Sequence, residues 1–287
     1  MTTAEAVILA IVEGLTEFLP VSSTGHMILT EALLHMQGSE FLKAFTVSIQ
    51  FGAIAAVVVL YWRRFFQTID FYLKLFVAFL PIAVLGLLLK DSIESLLENV
   101  VVVSVALIVG GVILIFLDKI FHHQIEEAID DPDYVSVKKI DEFGVEYVQD
   151  ELRQIKISWK QAFIVGCFQC MGLVPGVSRA AATIVGAMQQ GFNIKRASEF
   201  SFFLAVPTIF AASAYSLWGH RTVITGTNIE YLIIGNVVSF IVGMIAIRFF
   251  IELITRLGLR FFGYYRIALG VIILILLALG YDIKINH

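Results

Sequence analysis

Charge is scarce in this chain of 287 residues, since Lys, Arg, Asp and Glu together account for only 15% of it. The formal net charge is −4, so the chain lacks the basic excess that binds nucleic acid, and we expect no nucleic-acid partner. Hydrophobic residues make up 59% of the chain, and the mean hydropathy is +0.87. These values exclude an ordinary soluble domain and predict a polytopic membrane protein in a lipid bilayer.

Cysteine is nearly absent. The two cysteines, Cys167 and Cys170, form a C-x-x-C pair inside an apolar run, with no second pair of ligands near it in the sequence. This disfavours a zinc or redox centre, and we interpret both as small residues of a membrane helix. The first residues also lack a basic stretch, and their apolar run soon meets Glu13, so we predict no cleavable signal peptide.

Proline is also rare, and two of the five prolines interrupt apolar regions. A helix needs about 20 apolar residues to cross a bilayer. Six continuous apolar segments reach this length, at about 44–62, 70–89, 99–117, 199–218, 230–250 and 263–281.

Two further apolar regions do not fit this pattern. Residues 4–36 are broken at Pro20, and residues 160–191 are broken at Pro175. Each half has about 15 residues, or about 23 Å of helix, which is shorter than a hydrocarbon core of about 30 Å. We therefore predict two re-entrant hairpins that enter to mid-depth, turn at proline and return, in surroundings of protein or a wet cavity.

The two interrupted regions resemble each other. Residues 20–23 (P-V-S-S) align with residues 175–178 (P-G-V-S) at a constant offset, and a spanning helix follows each region. Matching interrupted helices indicate an inverted repeat with a site near the membrane midplane. We predict one all-α polytopic membrane domain over residues 1–287, with six transmembrane helices and two re-entrant hairpins, built from repeats at about 1–117 and 159–287.

Lysine and arginine are distributed unevenly over the predicted loops. One side of the membrane carries Arg63, Arg64, Lys119, Lys195, Arg196, Arg256 and Arg260. The other side has little more than Lys43, Lys90, Arg221 and Lys284. The positive-inside rule makes the first side cytoplasmic. The first hairpin then opens to the periplasmic face and the second to the cytoplasmic face.

A hydrophilic insertion at about 118–158 interrupts the membrane pattern on the cytoplasmic side. It holds an acidic run, composed of Glu126, Glu127, Asp130, Asp131 and Asp133. Residues 134–140 then alternate with a period of two, as a strand does. Residues 143–144 could turn this strand back into residues 145–148 as a hairpin. We infer no chemistry for this small appendage.

Residues 13–26 place two carboxylates, four hydroxyls, a proline and a histidine among apolar neighbours. A charged side chain near the middle of a bilayer costs roughly 2.5–3.5 kcal/mol. Glu13 and Glu17, at i and i+4, also repel each other on one helix face. A soluble helix with one wet face does not explain this segment, whereas a functional site does. The carboxylates are accounted for if a divalent cation such as Mg²⁺ lies between them and phosphate oxygens.

A helix restarts after each proline, at the predicted hairpin tips. Ser22 or Ser23 in the first hairpin and Ser178 in the second are placed to cap its first turn. Two helix N-termini at mid-depth favour an anion. Arg179 adds a planar bidentate donor suited to phosphate, or serves as a structural partner of the two glutamates. The set predicts phosphoryl chemistry on a substrate reached from the bilayer.

Several other side chains leave alternatives open. His26 is a base or nucleophile, or a helix histidine bonded to a backbone carbonyl. Ser23 is a nucleophile, a phosphate ligand or a plain N-cap. Thr183 adds a hydroxyl on the face of Arg179 or serves in helix packing, and Gln50 is expected to line the cavity. The other residues assigned to substrate binding are Ser22, Thr24, Gly176 and Ser178.

Four segments resemble a known family. Residues 13–26 read EGLTEFLPVSSTGH and resemble the first signature of the BacA-type (bacitracin resistance) undecaprenyl-diphosphate phosphatases. Residues 175–183 read PGVSRAAAT and resemble the second signature, P-G-x-S-R-S-x-x-T. Residues 49–57 and 200–207 are also similar to family segments. Ala180 replaces the serine usual after the arginine, so that hydroxyl is not essential here.

The resemblance covers nearly all of the chain except 118–158, where the insertion is longer than the common family loop. It implies hydrolysis of undecaprenyl diphosphate to undecaprenyl phosphate at the outer face of the bacterial inner membrane. This reaction recycles the lipid carrier of cell-wall synthesis and gives bacitracin resistance. The resemblance also implies dependence on Mg²⁺ or Ca²⁺, with Glu13 and Glu17 as metal ligands. It places catalytic weight on Glu13, Glu17, Ser23, His26, Ser178, Arg179 and Thr183.

The attacking group stays open between Ser23, His26 and a water activated by a glutamate or the histidine. A transporter or lipid flippase is the alternative function, because inverted repeats with broken helices are common in transporters. Such a protein would need Arg179 but has little use for Ser23 and His26 so close by. A non-catalytic scaffold leaves the buried charges unexplained. The sequence does not determine the oligomeric state, and a homodimer stays open.

Overall fold

The computed structural model describes residues 1–62, 68–97, 99–126, 128, 134–140, 146–152 and 156–281. In chain order, its helices are α1 Thr3–Thr16, α2 Ser23–Leu33, α3 Glu40–Leu60, α4 Ile69–Leu88, α5 Lys90–Leu97, α6 Val100–Ile120, α7 His122–Glu126, α8 Trp159–Gln169, α9 Arg179–Gln189, α10 Ile194–Gly219 and α11 Ile229–Ala278. Short 3₁₀ turns follow α8 and α10, at Cys170–Leu173 and Arg221–Val223. The strands are β1 Tyr134–Ile140 and β2 Glu146–Leu152.

The long apolar helices agree with the predicted membrane segments. Among the described residues, five helices are long and apolar enough to cross a membrane, namely α3, α4, α6, α10 and α11. The first four overlap the predicted segments 44–62, 70–89, 99–117 and 199–218. The fifth, α11, contains the predicted segment 230–250 and most of the last one, 263–281, since the helix ends at Ala278. The protein is therefore a helical, polytopic membrane protein, as predicted.

Helix α11 has 50 residues, but its backbone leaves the helical conformation at Gly258, where φ is 68° and ψ is −165°. Glycine adopts such a positive φ without the steric cost that other residues incur. Asp118, near the end of α6, accepts hydrogen bonds through Oδ1 from the backbone N–H groups of Leu259 (2.7 Å) and Arg260 (3.0 Å). An N-cap side chain satisfies the start of a helix in the same way. The last two predicted segments therefore lie on either side of a capped break.

The two interrupted regions form short helices, as predicted. Helix α1 has 14 residues, and α2, α8 and α9 have 11 residues each. At the helical rise these lengths are about 21 Å and about 17 Å, so none of the four reaches across a hydrocarbon core of about 30 Å. Pro20 and Pro175 both lie in the breaks between paired helices.

The structure aligns the two breaks differently from the sequence. Ser22 and Ser178 directly precede α2 and α9, and they share an unusual positive φ of 69° and 71°. Ser22 is thus the counterpart of Ser178, and Ser23 is the counterpart of Arg179. The constant-offset alignment, which paired Ser23 with Ser178, is off by one residue. The reason is that the second break has one more residue between its proline and the N-cap.

A series of aromatic contacts holds the first hairpin in place. Phe18, just after α1, is fully buried and packs edge-on against Phe202 of α10 at 5.6 Å between ring centroids. Phe202 contacts Phe250 at 5.8 Å, and Phe250 contacts Phe262 at 5.6 Å. Such pairs stabilise by more than the area that they bury. The tip of the first hairpin is thereby tied to α10 and to both halves of α11.

Large apolar side chains also lie on the outside of the molecule. Leu73 and Phe76 of α4, Phe116 of α6 and Phe249 of α11 are all exposed. In water, an apolar surface of this extent would be an interaction or aggregation site. Lipid tails are as apolar as these side chains, so the surface is that of a protein embedded in a bilayer.

The insertion contains the predicted hairpin strands. Residues Tyr134–Ile140 pair antiparallel with Glu146–Leu152, with Tyr134 opposite Leu152 and Ile140 opposite Glu146. The first strand has the predicted bounds, whereas the second extends beyond the predicted residues 145–148. The predicted turn and most of the acidic run lie outside the described residues, as do Arg63, Arg64 and Lys284.

Candidate active site

The two hairpin tips meet at a buried ion pair. Arg179 Nη2, at the start of α9, donates to Glu17 Oε1 at 3.1 Å. The side chains are only 11% and 9% exposed. A second hydrogen bond, from Arg179 Nη1 to the carbonyl of Ser201 at 3.3 Å, fixes the guanidinium against α10. The structure thus joins the acidic hairpin to the basic one, although Glu17 and Arg179 are 162 residues apart in the chain.

The other oxygen of the same carboxylate serves the first hairpin itself. Ser23 Oγ donates to Glu17 Oε2 at 2.6 Å, across the break between α1 and α2. A hydroxyl that donates to a carboxylate forms a short, charge-assisted hydrogen bond. The carboxylate is also in position to accept the hydroxyl proton, which is the arrangement of an activated nucleophile.

A cavity of about 230 Å³ lies between the tips. The predicted site residues that line it are Glu17, Ser22, Ser23, Thr24, Gln50, Gly176, Ser178 and Arg179. Ile82 of α4 and Thr208, Ile209 and Ala212 of α10 complete much of the wall. The volume is below the 300–1,000 Å³ that is typical for a whole drug-sized ligand. The cavity therefore suits a small polar headgroup rather than a long-chain lipid.

Both restarted helices point their N-termini at this cavity, but their caps differ. Ser178 caps α9 as predicted, since its Oγ accepts a hydrogen bond from the backbone N–H of Ala181 at 3.2 Å. Ser22 occupies the N-cap position of α2, but its side chain makes no cap hydrogen bond within the described residues. The first N–H groups of α2 therefore remain without a side-chain cap and are suited to an anion.

Glu13 lies one helical turn before Glu17 and does not line the cavity. Its side chain is 1% exposed, and its Oε1 has no hydrogen-bond partner among the described residues. Its spacing of four residues places it on the same face of the chain as Glu17. An orphaned buried carboxylate oxygen beside a second carboxylate fits a divalent cation, because Mg²⁺ and Ca²⁺ prefer oxygen ligands. No cluster of three or more His, Cys, Asp or Glu ligands occurs in the described part of the chain.

His26 lies off the cavity, with both ring nitrogens engaged. Its Nδ1 is 2.8 Å from the carbonyl oxygen of Ser22, and its Nε2 is 2.7 Å from the hydroxyl of Tyr265. A carbonyl only accepts hydrogen bonds, so Nδ1 carries the proton, and in the neutral ring Nε2 accepts from Tyr265. His26 therefore has the geometry of a helix histidine bonded to a backbone carbonyl, which was one of its two alternatives. Its catalytic role stays a prediction.

Thr183 also lies outside the cavity lining. It is fully buried, and its Oγ1 is 2.6 Å from Ser201 Oγ and donates to the carbonyl of Arg179 at 3.0 Å. These contacts match the packing role that the sequence left open, because they join α9 to α10 behind Arg179. Gln50 does line the cavity, and its Oε1 accepts from Ser213 Oγ at 3.3 Å.

Two residues that the sequence analysis did not select lie directly against the tips. Tyr265 contacts His26 also by ring stacking, with centroids 5.5 Å apart and planes 7° apart. Arg266 is 1% exposed and donates hydrogen bonds to backbone carbonyls of both tips. The sequence did contain a signal for Arg266, because a charged residue within a predicted transmembrane segment indicates a functional role.

Comparison with known proteins places the chain in a family. The family profile described as bacitracin resistance protein BacA matches residues 6–272. An undecaprenyl-diphosphatase of Bdellovibrio bacteriovorus is 48% identical over 284 residues, which cover 99% of both chains. Undecaprenyl-diphosphatases of Flavobacterium johnsoniae and Aquifex aeolicus are 46% and 40% identical, over 96% and 95% of this chain and 96% and 97% of theirs. With its two signature segments joined at one site, the chain belongs to the BacA family of bacitracin resistance proteins.

Proposed function

We propose that this protein is an undecaprenyl-diphosphate phosphatase. It converts undecaprenyl diphosphate and water to undecaprenyl phosphate and inorganic phosphate, which recycles the lipid carrier of cell-wall synthesis and gives bacitracin resistance. The observation that carries the proposal is the contact of Glu17 with both Ser23 and Arg179 at the rim of one small cavity. A hydroxyl, a base and an anion-binding guanidinium together can carry out phosphoryl transfer. The relatives of this chain carry the same activity in their names.

Substrate binding follows from charge and size. Arg179 and the N-terminus of α2 hold the phosphate oxygens, and Ser22, Thr24, Gly176 and Ser178 line the same space. Arg179 must shift part of its hydrogen bonding from Glu17 to the substrate, which frees that carboxylate oxygen. The prenyl chain is too large for the cavity, so it stays in lipid between the helices.

Ser23 is assigned as the nucleophile. Its oxygen attacks the terminal phosphorus while Glu17 takes the hydroxyl proton, and the bond from phosphorus to the bridging oxygen breaks. Undecaprenyl phosphate leaves with the electron pair of that bond. Water then hydrolyses the phosphoserine, releases inorganic phosphate and restores the hydroxyl. His26 is not assigned to the attack, because it lies off the cavity and both of its nitrogens are engaged.

Glu13 and Glu17 are the residues that would hold a divalent cation, Mg²⁺ or Ca²⁺. When bound, such an ion neutralises phosphate charge and screens the repulsion between the two carboxylates. The support for this assignment is the unpartnered, buried oxygen of Glu13 beside Glu17. The remaining ligands would be water and phosphate oxygens, as is usual for Mg²⁺.

The proposed membrane arrangement has six spans and two re-entrant hairpins in an inverted repeat, in the bacterial inner membrane. Gly235 and Gly243 approach Phe45 and Ala53 in the same order, so the first half of α11 runs parallel to α3. In the second half, Gly263 and Gly270 approach Gly111 and Ser104, so this half runs antiparallel to α6. Because α3 and α6 are separated by one spanning helix, they run in the same direction. The two halves of α11 therefore count as two spans.

The test is release of inorganic phosphate from undecaprenyl diphosphate by the purified protein in detergent with Mg²⁺. We expect Arg179→Ala to lower the rate by roughly 10²–10³-fold, since it removes a charged donor aimed at the reacting group. Arg256→Ala is the matched control, because Arg256 is an exposed arginine paired with Glu252. No release by the unaltered protein, or full activity of Arg179→Ala, would refute the proposal. A lipid flippase without hydrolysis would move substrate between leaflets and release no phosphate.

A further inference from the structure

Arg266 lies where the two hairpin tips and α6 come together. Its Nη1 donates to the carbonyl oxygens of Val177 at 2.8 Å and Pro20 at 3.4 Å. Its Nη2 donates to the carbonyl oxygens of Gly176 at 2.8 Å and Ala106 at 3.3 Å. One planar guanidinium thus connects the backbone of the first tip, the second tip and a transmembrane helix.

Among the residues that the structure describes, no carboxylate neutralises the charge of Arg266. Within the described residues no acidic side chain forms a salt bridge with it, and its acceptors are backbone carbonyls, which carry only partial charge. A charged arginine at the centre of a membrane helix costs roughly 2.5–3.5 kcal/mol. Gly110 of α6 keeps the space open, because a Cβ at that position would collide with the guanidinium. The fold therefore accommodates a net positive charge directly behind the anion site.

The carbonyls that Arg266 holds are close in sequence to the reacting groups. Pro20 is three residues before Ser23, and Val177 is two residues before Arg179. A shift of one tip against the other would stretch these hydrogen bonds. A lysine at position 266 would keep the charge, but its single ammonium lacks the planar fork that reaches several carbonyls at once.

We propose that Arg266 is a positioning residue for the hydrolysis: it locks the acidic tip against the basic tip, so that Ser23 and Arg179 face the same phosphoryl group. It touches no reacting atom and does not line the cavity. Its positive charge also adds to the attraction for the diphosphate. This inference rests on the proposed function, since it concerns the geometry of that reaction.

The experiment compares Arg266→Lys and Arg266→Met with the unaltered protein, measuring kcat, KM and thermal unfolding in detergent. We expect Arg266→Lys to lower kcat by about 100-fold with little change in KM, because misplacement of about 1 Å costs that much in rate. Arg266→Met should lower kcat similarly and raise KM as well, because it removes the charge. Arg256→Lys, the same substitution at an exposed site, should match the unaltered protein.

Gly110→Ala provides a second variant that keeps the arginine but displaces its guanidinium, and it should also lower kcat. If Arg266 had a purely structural role, these substitutions would lower the unfolding temperature but would not change kcat of the folded protein at saturating substrate. Unaltered kcat in Arg266→Lys or, should that variant not fold, in Gly110→Ala overturns the inference. Failure of the proposed function is distinguishable, because the unaltered protein would then release no phosphate at all.

Discussion

At the scale of single residues, Glu17 is central because its two carboxylate oxygens serve different partners. One oxygen accepts from Ser23 and the other from Arg179. Since Ser23 and Arg179 both donate to the carboxylate of Glu17, the effects on activity of replacing these three residues should not be additive. The contrast with Glu13, whose Oε1 has no partner among the described residues, separates the two glutamates by role.

Ser23→Ala tests the assignment of the nucleophile. We expect kcat to fall by at least about 100-fold, because the attacking oxygen and the proton that Glu17 accepts are both lost. Phosphate release at saturating substrate measures the effect, and a phosphoserine trapped by rapid quenching would identify the intermediate. Ser198→Ala is the control, since Ser198 is a buried serine whose hydroxyl donates to the carbonyl of Ile194 in its own helix. A Ser23→Ala variant with normal kcat would exclude Ser23 as the nucleophile and leave His26 or an activated water.

Glu13→Gln tests the cation site with a readout independent of turnover. The change keeps the shape of the side chain but removes its charge, so we expect the affinity for Mn²⁺, measured by electron paramagnetic resonance, to fall by at least about tenfold. Glu31→Gln is the matched control, because Glu31 is equally buried and unpartnered among the described residues but lies in α2 rather than one helical turn from Glu17. Equal Mn²⁺ binding by Glu13→Gln and the unaltered protein would remove Glu13 from the ligand set.

At the scale of elements, the break in α11 determines where Tyr265 and Arg266 lie. The chain turns at Gly258, and Asp118 fixes the start of the following half by accepting two backbone hydrogen bonds. That half then carries Tyr265 to His26 and Arg266 to the hairpin tips. A capped glycine break far from the cavity therefore supports the site.

Asp118→Ala should destabilise the fold by about 0.5–2 kcal/mol, the usual cost of losing a helix cap. The measurement is the thermal unfolding temperature in detergent, which we expect to fall. Asp70→Ala is the comparison, because Asp70 is an exposed carboxylate paired with Lys74 one turn away, and such surface pairs contribute little. If the two variants lower the unfolding temperature equally, the cap does not stabilise the break.

At the scale of the whole molecule, orientation decides which side supplies the substrate. We propose, from the positive-inside rule, that the basic loops and the insertion with β1 and β2 lie in the cytoplasm and that the first hairpin opens to the periplasm. In this proposed orientation the cavity between the tips is reached from the periplasmic side. An inverted repeat with a site at mid-depth is compatible with this access.

Cysteine labelling tests the orientation. In a background with Cys167 and Cys170 replaced by serine, we expect Ser39→Cys to react with an impermeant maleimide in intact spheroplasts, because Ser39 precedes α3 on the periplasmic side. His122→Cys, at the start of α7, should react only after permeabilisation. The opposite labelling pattern would invert the membrane arrangement while leaving the geometry of the site unchanged.

Much of the architecture follows from local sequence. Apolar runs of spanning length set the positions of α3, α4, α6 and α10, because burial of the backbone in lipid leaves helix as the available structure. Polar residues inside apolar runs marked the two tips, because such groups are too costly in lipid without a role. The strand at 134–140 followed from its period of two.

Other features depend on partners distant in the chain. Arg266 bonds to residues 20 and 176, and Tyr265 to His26, which lies 239 residues earlier, so no local pattern assigns these contacts. The one-residue difference between the two breaks appeared only in the backbone angles of Ser22 and Ser178.

The sequence by itself determined that this is a membrane protein with two interrupted hairpins and which side chains could do phosphoryl chemistry. Hydrophobicity and the cost of buried charge act locally, so they are readable along the chain. The tertiary structure decided that Ser23 rather than His26 shares the carboxylate of Glu17 and faces the cavity. That choice depends on packing between segments far apart in sequence, which only the folded molecule brings together.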